Sequence, residues 1–116
     1  MNLDDYAREC HAANMQWWKN PATGEVINRN FGELIALCHS ELSESLEGHR
    51  KNLMDDKLPQ YPMWQVEIID ALIREFDLLS AHGVPVEEIF RAKMAYNAQR
   101  LDHKPENRLL PGGKAY

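Results

Sequence analysis

The chain has 116 residues, 44% hydrophobic and 27% charged, with 18 acidic against 13 basic side chains and a formal charge of −5. That length can bury a core without disulfide or zinc staples, and the composition argues against disorder. No apolar run is long enough to span a bilayer, and a net-negative chain without a basic stripe grips a nucleic acid polymer poorly.

The opening Met1-Asn2-Leu3-Asp4-Asp5 is acidic where a secretory leader is basic and then apolar, so a cytoplasmic protein is expected. Cys10 and Cys38 each precede a histidine, but no second ligand pair follows at CxxC or HxxxH spacing. Buried thiols in a reducing compartment are expected in place of zinc ligands.

Periodicity predicts four helices and no strand. The first runs from Leu3 to Lys19, with Leu3, Tyr6, Ala7, Cys10, Ala13 and Trp17 on one apolar stripe, and is broken by Asn20-Pro21-Ala22-Thr23-Gly24. The second starts at an Asn30 cap, with Glu33 completing a capping box, and runs to about Asn52. Its expected buried face is Phe31, Leu34, Ile35, Cys38, Leu42 and Leu46. Residues 55–62, polar and carrying two prolines, read as a loop. The third helix spans Met63 to Ala81, ends at Gly83, and carries Val66, Ile69, Leu72, Ile73, Phe76 and Leu79 on its apolar side. Pro85 suits the first turn of the fourth, which places Ile89, Phe90, Met94 and Leu101 together. The tail, residues 103–116, carries two prolines and Gly112-Gly113 and reads as irregular. The expected fold is one all-α domain over residues 1–116, an antiparallel four-helix bundle.

Glu41 and Glu44 stand one turn apart on the second helix, and Glu67 and Asp70 repeat that spacing on the third. If the two helices pack antiparallel, four carboxylates converge. Their pKa values must then rise, or a hard divalent cation must join them. The competing account is a solvated stripe, Glu67, Asp70, Arg74 and Asp77, laced by Asp70–Arg74 and Arg74–Asp77 pairs. Periodicity alone favours the stripe.

At these residues the sequence resembles the MazG-like, all-α NTP pyrophosphatase superfamily. ExxE appears as Glu41-Leu42-Ser43-Glu44, ExxD as Glu67-Ile68-Ile69-Asp70, and KxxxNxxR as Lys93 through Asn97 to Arg100. Bare ExxE motifs are common; three elements in order, over about Gly32 to Arg100, are more specific. The resemblance implies a four-helix unit, homodimeric or a dimer of dimers. Its activity would be magnesium-dependent (or manganese-dependent) cleavage of nucleoside triphosphates to monophosphate and pyrophosphate, on canonical or modified (d)NTPs. It implies metal binding by Glu41, Glu44, Glu67 and Asp70, with Glu44 or Glu41 as the base that takes a proton from the attacking water. Lys93, Asn97 and Arg100 fall at four- and three-residue steps, which places them on one stripe of the fourth helix; they would bind phosphate, with a solvent-facing polar face as the alternative.

Other candidates have plainer accounts beside them. Arg50 and Lys51 suit phosphate contact or their own helix C-terminal dipole. Trp17 and Trp18 are adjacent, so at most one faces the core squarely; the other suits stacking on a base, with core or dimer packing as the commoner account. The run Val66-Glu67-Ile68-Ile69 stands where the family carries a more acidic, alanine-containing stretch, and the tail beyond Arg100 is longer; both departures bear on substrate preference. Two alternatives stand beside this reading: a phosphoribosyl-ATP pyrophosphohydrolase, and a helical dimerisation or regulatory module without catalysis.

Overall fold

The computed structural model describes residues 1–100 and 105–113. Helices are the regular structure among them: α1 (Leu3–Ala13), a 3-10 turn (Met15–Trp18), α2 (Phe31–Arg50), α3 (Met63–Ala81), α4 (Val86–Gln99) and the single turn α5 (Pro105–Arg108). Two isolated bridges, Lys19 with Val26 and Met54 with Pro62, tie loops together without forming a strand among the described residues. None of these helices is long and apolar enough to cross a membrane. The chain divides into two compact units, Met1–Val84 and Pro85–Tyr116.

Local chemistry sets the helix ends. Asn2 and Asp5 form a reciprocal capping box on α1. At α2 the Asn30 side chain accepts from the Glu33 N–H at 2.9 Å, but the return bond from the Glu33 side chain is absent among the described residues. The helix stops at Arg50, short of the expected Asn52, because Asn52 takes a left-handed conformation (φ 55). There Leu53 N–H bonds to Gly48 C=O at 2.9 Å and Asn52 N–H to His49 C=O at 3.2 Å, a Schellman pair. Gly83 (φ 65) closes α3 in the same way, with Val84 N–H on Leu79 C=O and Gly83 N–H on Ser80 C=O. The α3 limits, Met63–Ala81, are those expected.

Three expectations are corrected. The first helix ends at Ala13, not Lys19: the Asn14 side chain donates to Cys10 C=O and the chain tightens into the 3-10 turn. That turn shifts the helical phase, so Trp18 is buried while Trp17, assigned to the apolar stripe, is exposed. Pro85 is the N-cap of α4 and does not lie within its first turn. In the tail, Pro105–Arg108 forms a helical turn where irregular chain was expected; Leu101 and the tail residues 103, 104 and 114–116 lie outside the described residues.

In the first unit α2 and α3 make the main helix pairing, and α1 lies on α3. Trp18, Leu34 and Leu78 form the centre, with Met15, Ile35, Leu37 and Ala81 packed around them. At the other end Ser45 Oγ donates to Trp64 C=O at 2.8 Å, and Met63 crosses Gly48 so closely that a Cβ there would lie 2.8 Å from Met63 Cγ. Of the expected buried face of α2, Leu34 and Cys38 are buried and Ile35 is partly so, joined by Ser45 and Gly48, whereas Phe31, Leu42 and Leu46 are exposed. On α3 the buried residues are Glu67, Ala71, Asp77 and Leu78, while Ile69 and Leu72 of the expected apolar side are exposed. Small residues are prominent among the buried positions, Cys38, Ser45 and Gly48 on α2 and Ala71 on α3, and at Ser45 and Gly48 the start of α3 lies directly against α2. That close packing selects a face that hydrophobicity alone ranks second.

In the second unit, Arg91 pairs with Glu87 at 2.7 Å one turn back on α4, and Lys93 Nζ sits 4.9 Å from the centre of the Tyr96 ring. Ile89, Phe90 and Met94 are exposed.

Candidate functional site

The α2–α3 pairing carries Glu41 toward α3, and the turn spacing of α3 presents Glu67 and Asp70 to it. One carboxylate oxygen from each of Glu41, Glu67 and Asp70 lies within 4.8 Å of the others. Glu44, the fourth expected member, stands exposed outside this trio. The stripe on α3 is consequently not a solvated face. Glu67 is only 9% exposed, and its Oε2 is buried with no hydrogen-bond partner.

Crowding of like charges has the electrostatic result it must have. Glu67 is pushed up to about 8, first because the Glu41 carboxyl is close enough to share a proton, then by burial and by the charges of Glu41, Glu44 and Asp70. Asp70 is also raised. It is exposed by surface area, yet its carboxyl is crowded by surrounding protein, and Glu41, Asp55 and Glu44 add to the effect while Arg74 opposes it. Asp55 is a member that spacing does not reveal: the loop before α3 buries it, and its Oδ2 accepts from Lys57 N–H and Leu58 N–H.

Arg74 supplies the local positive charge. Its Nη2 and Nε lie 3.0 and 3.1 Å from one oxygen, Oε1, of Glu41. Beside this pair opens a cleft of about 410 Å³, lined among others by Trp17, Arg29, Glu41, Asp70, Arg74 and Asp77. Asp77, 7% exposed, is fully engaged: Trp18 Nε1 donates to both its oxygens at 2.9 and 3.1 Å, and His11 Nδ1 meets Oδ1 at 2.7 Å. Arg29 covers the Trp18 ring, 5.3 Å from its centre. Nothing in the sequence singled out Arg29 or Asn14, which also lines the cleft.

The other expected site residues fall in three groups. Trp17 lines the cleft and is 61% exposed, whereas Trp18 belongs to the core. Arg50 and Lys51 end α2 and are exposed; Lys51 pairs with Glu47 at 2.7 Å, the helix-end arrangement. In the second unit Lys93 and Asn97 lie on α4, but Arg100 is its C-cap with extended backbone, so the three do not share one helical stripe. Asn97 Oδ1 is buried without a hydrogen-bond partner.

A set of three carboxylates with one buried unpartnered oxygen fits a hard divalent cation, which takes oxygen donors and restores the missing counter-charge. It does not suit zinc, which takes nitrogen and sulfur more readily. Cys38 is buried and Cys10 half-buried, and burial pushes both thiols up. Compared with protein-family models, with curated proteins and with solved structures, the chain matches none.

Proposed function

We propose that the chain is a magnesium-dependent nucleoside triphosphate pyrophosphohydrolase of the MazG-like kind, a cytoplasmic nucleotide-pool enzyme that yields a nucleoside monophosphate and pyrophosphate. One observation carries the reading: the buried Glu67 carboxylate, with an orphaned oxygen, turned toward Glu41 and Asp70. A buried group in that condition costs stability unless a ligand completes it. Glu41, Glu67 and Asp70 are the residues that would hold the ion, with Glu44 beside them.

Magnesium, when bound, neutralises a triphosphate and acidifies water. The chain's own residues do the rest. Arg74 fixes the Glu41 carboxylate, which leaves exposed Glu44 as the residue suited to take a proton from the water that attacks the α-phosphorus. Trp17 offers an exposed ring at the cleft on which a base can stack. The phosphate-binding role of Lys93, Asn97 and Arg100 rests on the motif alone.

The pairing order, Leu34 with Leu78, Glu41 with Arg74, Ser45 with Trp64 and Gly48 with Met63, runs oppositely along the two helices and supports an antiparallel bundle. Exposed Phe31, Leu42, Leu46, Ile68, Ile69 and Leu72 support a homodimer or dimer of dimers, since apolar side chains in such number favour burial against a second copy. The test is pyrophosphate release from a panel of NTPs, dNTPs and phosphoribosyl-ATP, with and without magnesium. Release that requires the ion is expected. Release from phosphoribosyl-ATP alone would move the protein to the histidine-pathway alternative, and no release from any member would remove the enzymatic reading.

A further inference from the structure

Helical spacing offers Arg74 two partners on its own helix, Asp70 one turn before and Asp77 one turn after. It hydrogen-bonds to neither. Asp77 is already satisfied by Trp18 and His11. Arg74 crosses to α2 instead: its Nε donates to Oε1 of Glu41 at 3.1 Å, and its Nη2 lies in ion-pair contact with the same oxygen at 3.0 Å. A guanidinium is a planar fork of five N–H donors. Glu41 occupies the Nε–Nη2 edge, and among the described residues no other acceptor is hydrogen-bonded to the group. The side chain remains 40% exposed and lines the 410 Å³ cleft with Arg29 and Trp17.

The charges around the cleft determine what can occupy that second edge. Of its three carboxylates, Asp77 has both oxygens occupied by N–H donors from Trp18 and His11 and Glu41 is held by Arg74, leaving Asp70 on the side of the trio. Two arginines and an aromatic face then line the rest. An anion fits there, and a planar fork is matched to the paired oxygens of a phosphoryl group.

We infer that Arg74 is a phosphate-binding residue, holding Glu41 by its Nε–Nη2 edge and a phosphoanhydride oxygen by the other. The assignment rests on the reading of this site as a polyphosphate site. It makes one side chain the physical link between the acidic trio and the anion, so that losing it separates cation binding from anion binding. A cation tying α2 to α3 for stability alone would not do so.

The experiment is calorimetric titration of the full chain with Mn2+ alone and then with inorganic pyrophosphate in the presence of Mg2+, in wild type, Arg74→Gln and Arg74→Lys, with a thermal melt of each. Pyrophosphate affinity should fall at least about tenfold in Arg74→Gln, with a smaller fall in Arg74→Lys, which keeps the charge and loses the fork. Mn2+ affinity should hold or rise, because a competing cation has left Glu41. Unchanged pyrophosphate affinity in either folded variant overturns the inference, and so does a loss confined to melting temperature. If Arg74→Gln does not fold, Arg74→Lys carries the same decision. The two readings fail separately. Arg74-dependent pyrophosphate binding without release from any nucleotide would sink the hydrolase and keep the residue's role; turnover with pyrophosphate binding indifferent to Arg74 would do the reverse.

Discussion

Helix α3 buries two carboxylates and treats them in opposite ways. Asp77 sits against α1 and the 3-10 turn, where an indole N–H and an imidazole nitrogen take up its oxygens. Glu67 sits against α2, where its neighbours are Glu41 and Asp70 and one oxygen has no partner. The two are almost equally inaccessible to water, so burial does not separate them; the chemistry of the neighbours does. A buried carboxylate met by donors holds the fold together, whereas a buried carboxyl met by other acids must keep its proton or take up a cation in its place. The first is architecture; the second is the arrangement on which the proposed function rests.

The comparison breaks most visibly in activity. Glu41→Ala and Asp70→Ala should each lower magnesium-dependent pyrophosphate release by more than the roughly 10–100-fold that loss of an outer-shell partner costs a metal site. Circular dichroism should show the helicity unchanged; full turnover in both variants would end the assignment. Next in size is Asp77→Ala, which strands the buried Trp18 N–H and should cost about 3 kcal/mol in chemical denaturation. If instead it is as stable as wild type, Asp77 is no more structural than Glu67.

The opposite sign is expected across the helix. Glu67→Gln replaces a repelled acid with a donor facing Glu41, and the metal-free protein at pH 8 should gain about 1–3 kcal/mol while losing divalent-ion binding. A loss of stability in that variant would contradict the picture of a strained acidic seam.

The pH dependence follows from the same group. Unfolded, Glu67 titrates near 4.5; folded, near about 8. Between those values the folded chain binds the extra proton, so its contribution to stability is full below the lower value and is lost as pH rises through the upper one. The metal-free melting temperature should therefore decline across that window, and the decline should shrink with saturating Mg2+ or in Glu67→Gln. A flat profile without metal would count against the shared proton. Smallest of all, Lys51→Ala removes only an exposed pair at the end of α2 and should leave both melting temperature and turnover unchanged; a raised KM there would restore Lys51 to the substrate site.

Helix limits and motif positions were readable in the chain itself. Asn30 as a cap, Gly83 as a stop and the turn spacing of Glu41, Glu67 and Asp70 are consequences of local backbone chemistry, and they came out nearly where expected. The break at Asn14 did not, because a side-chain bond to Cys10 C=O and the packing of Trp18 decide between continuing the helix and tightening it. Which face of α2 and α3 turns inward was not readable either. A periodic pattern says which residues share a face, but Leu42 and Leu46 against Cys38 and Ser45 is a contest settled by how closely two helices approach.

What the sequence determined alone was a set of helices with acids at turn spacing, because caps, breakers and periodicity act within a few residues. Only the tertiary structure decided that Glu67 turns inward against Glu41 and Asp70, that Glu44 stands apart from the trio, and that Arg74 reaches across to Glu41 past two partners nearer in sequence. Those outcomes depend on contacts between residues distant in the chain, where packing and desolvation of one helix by another outweigh any local preference.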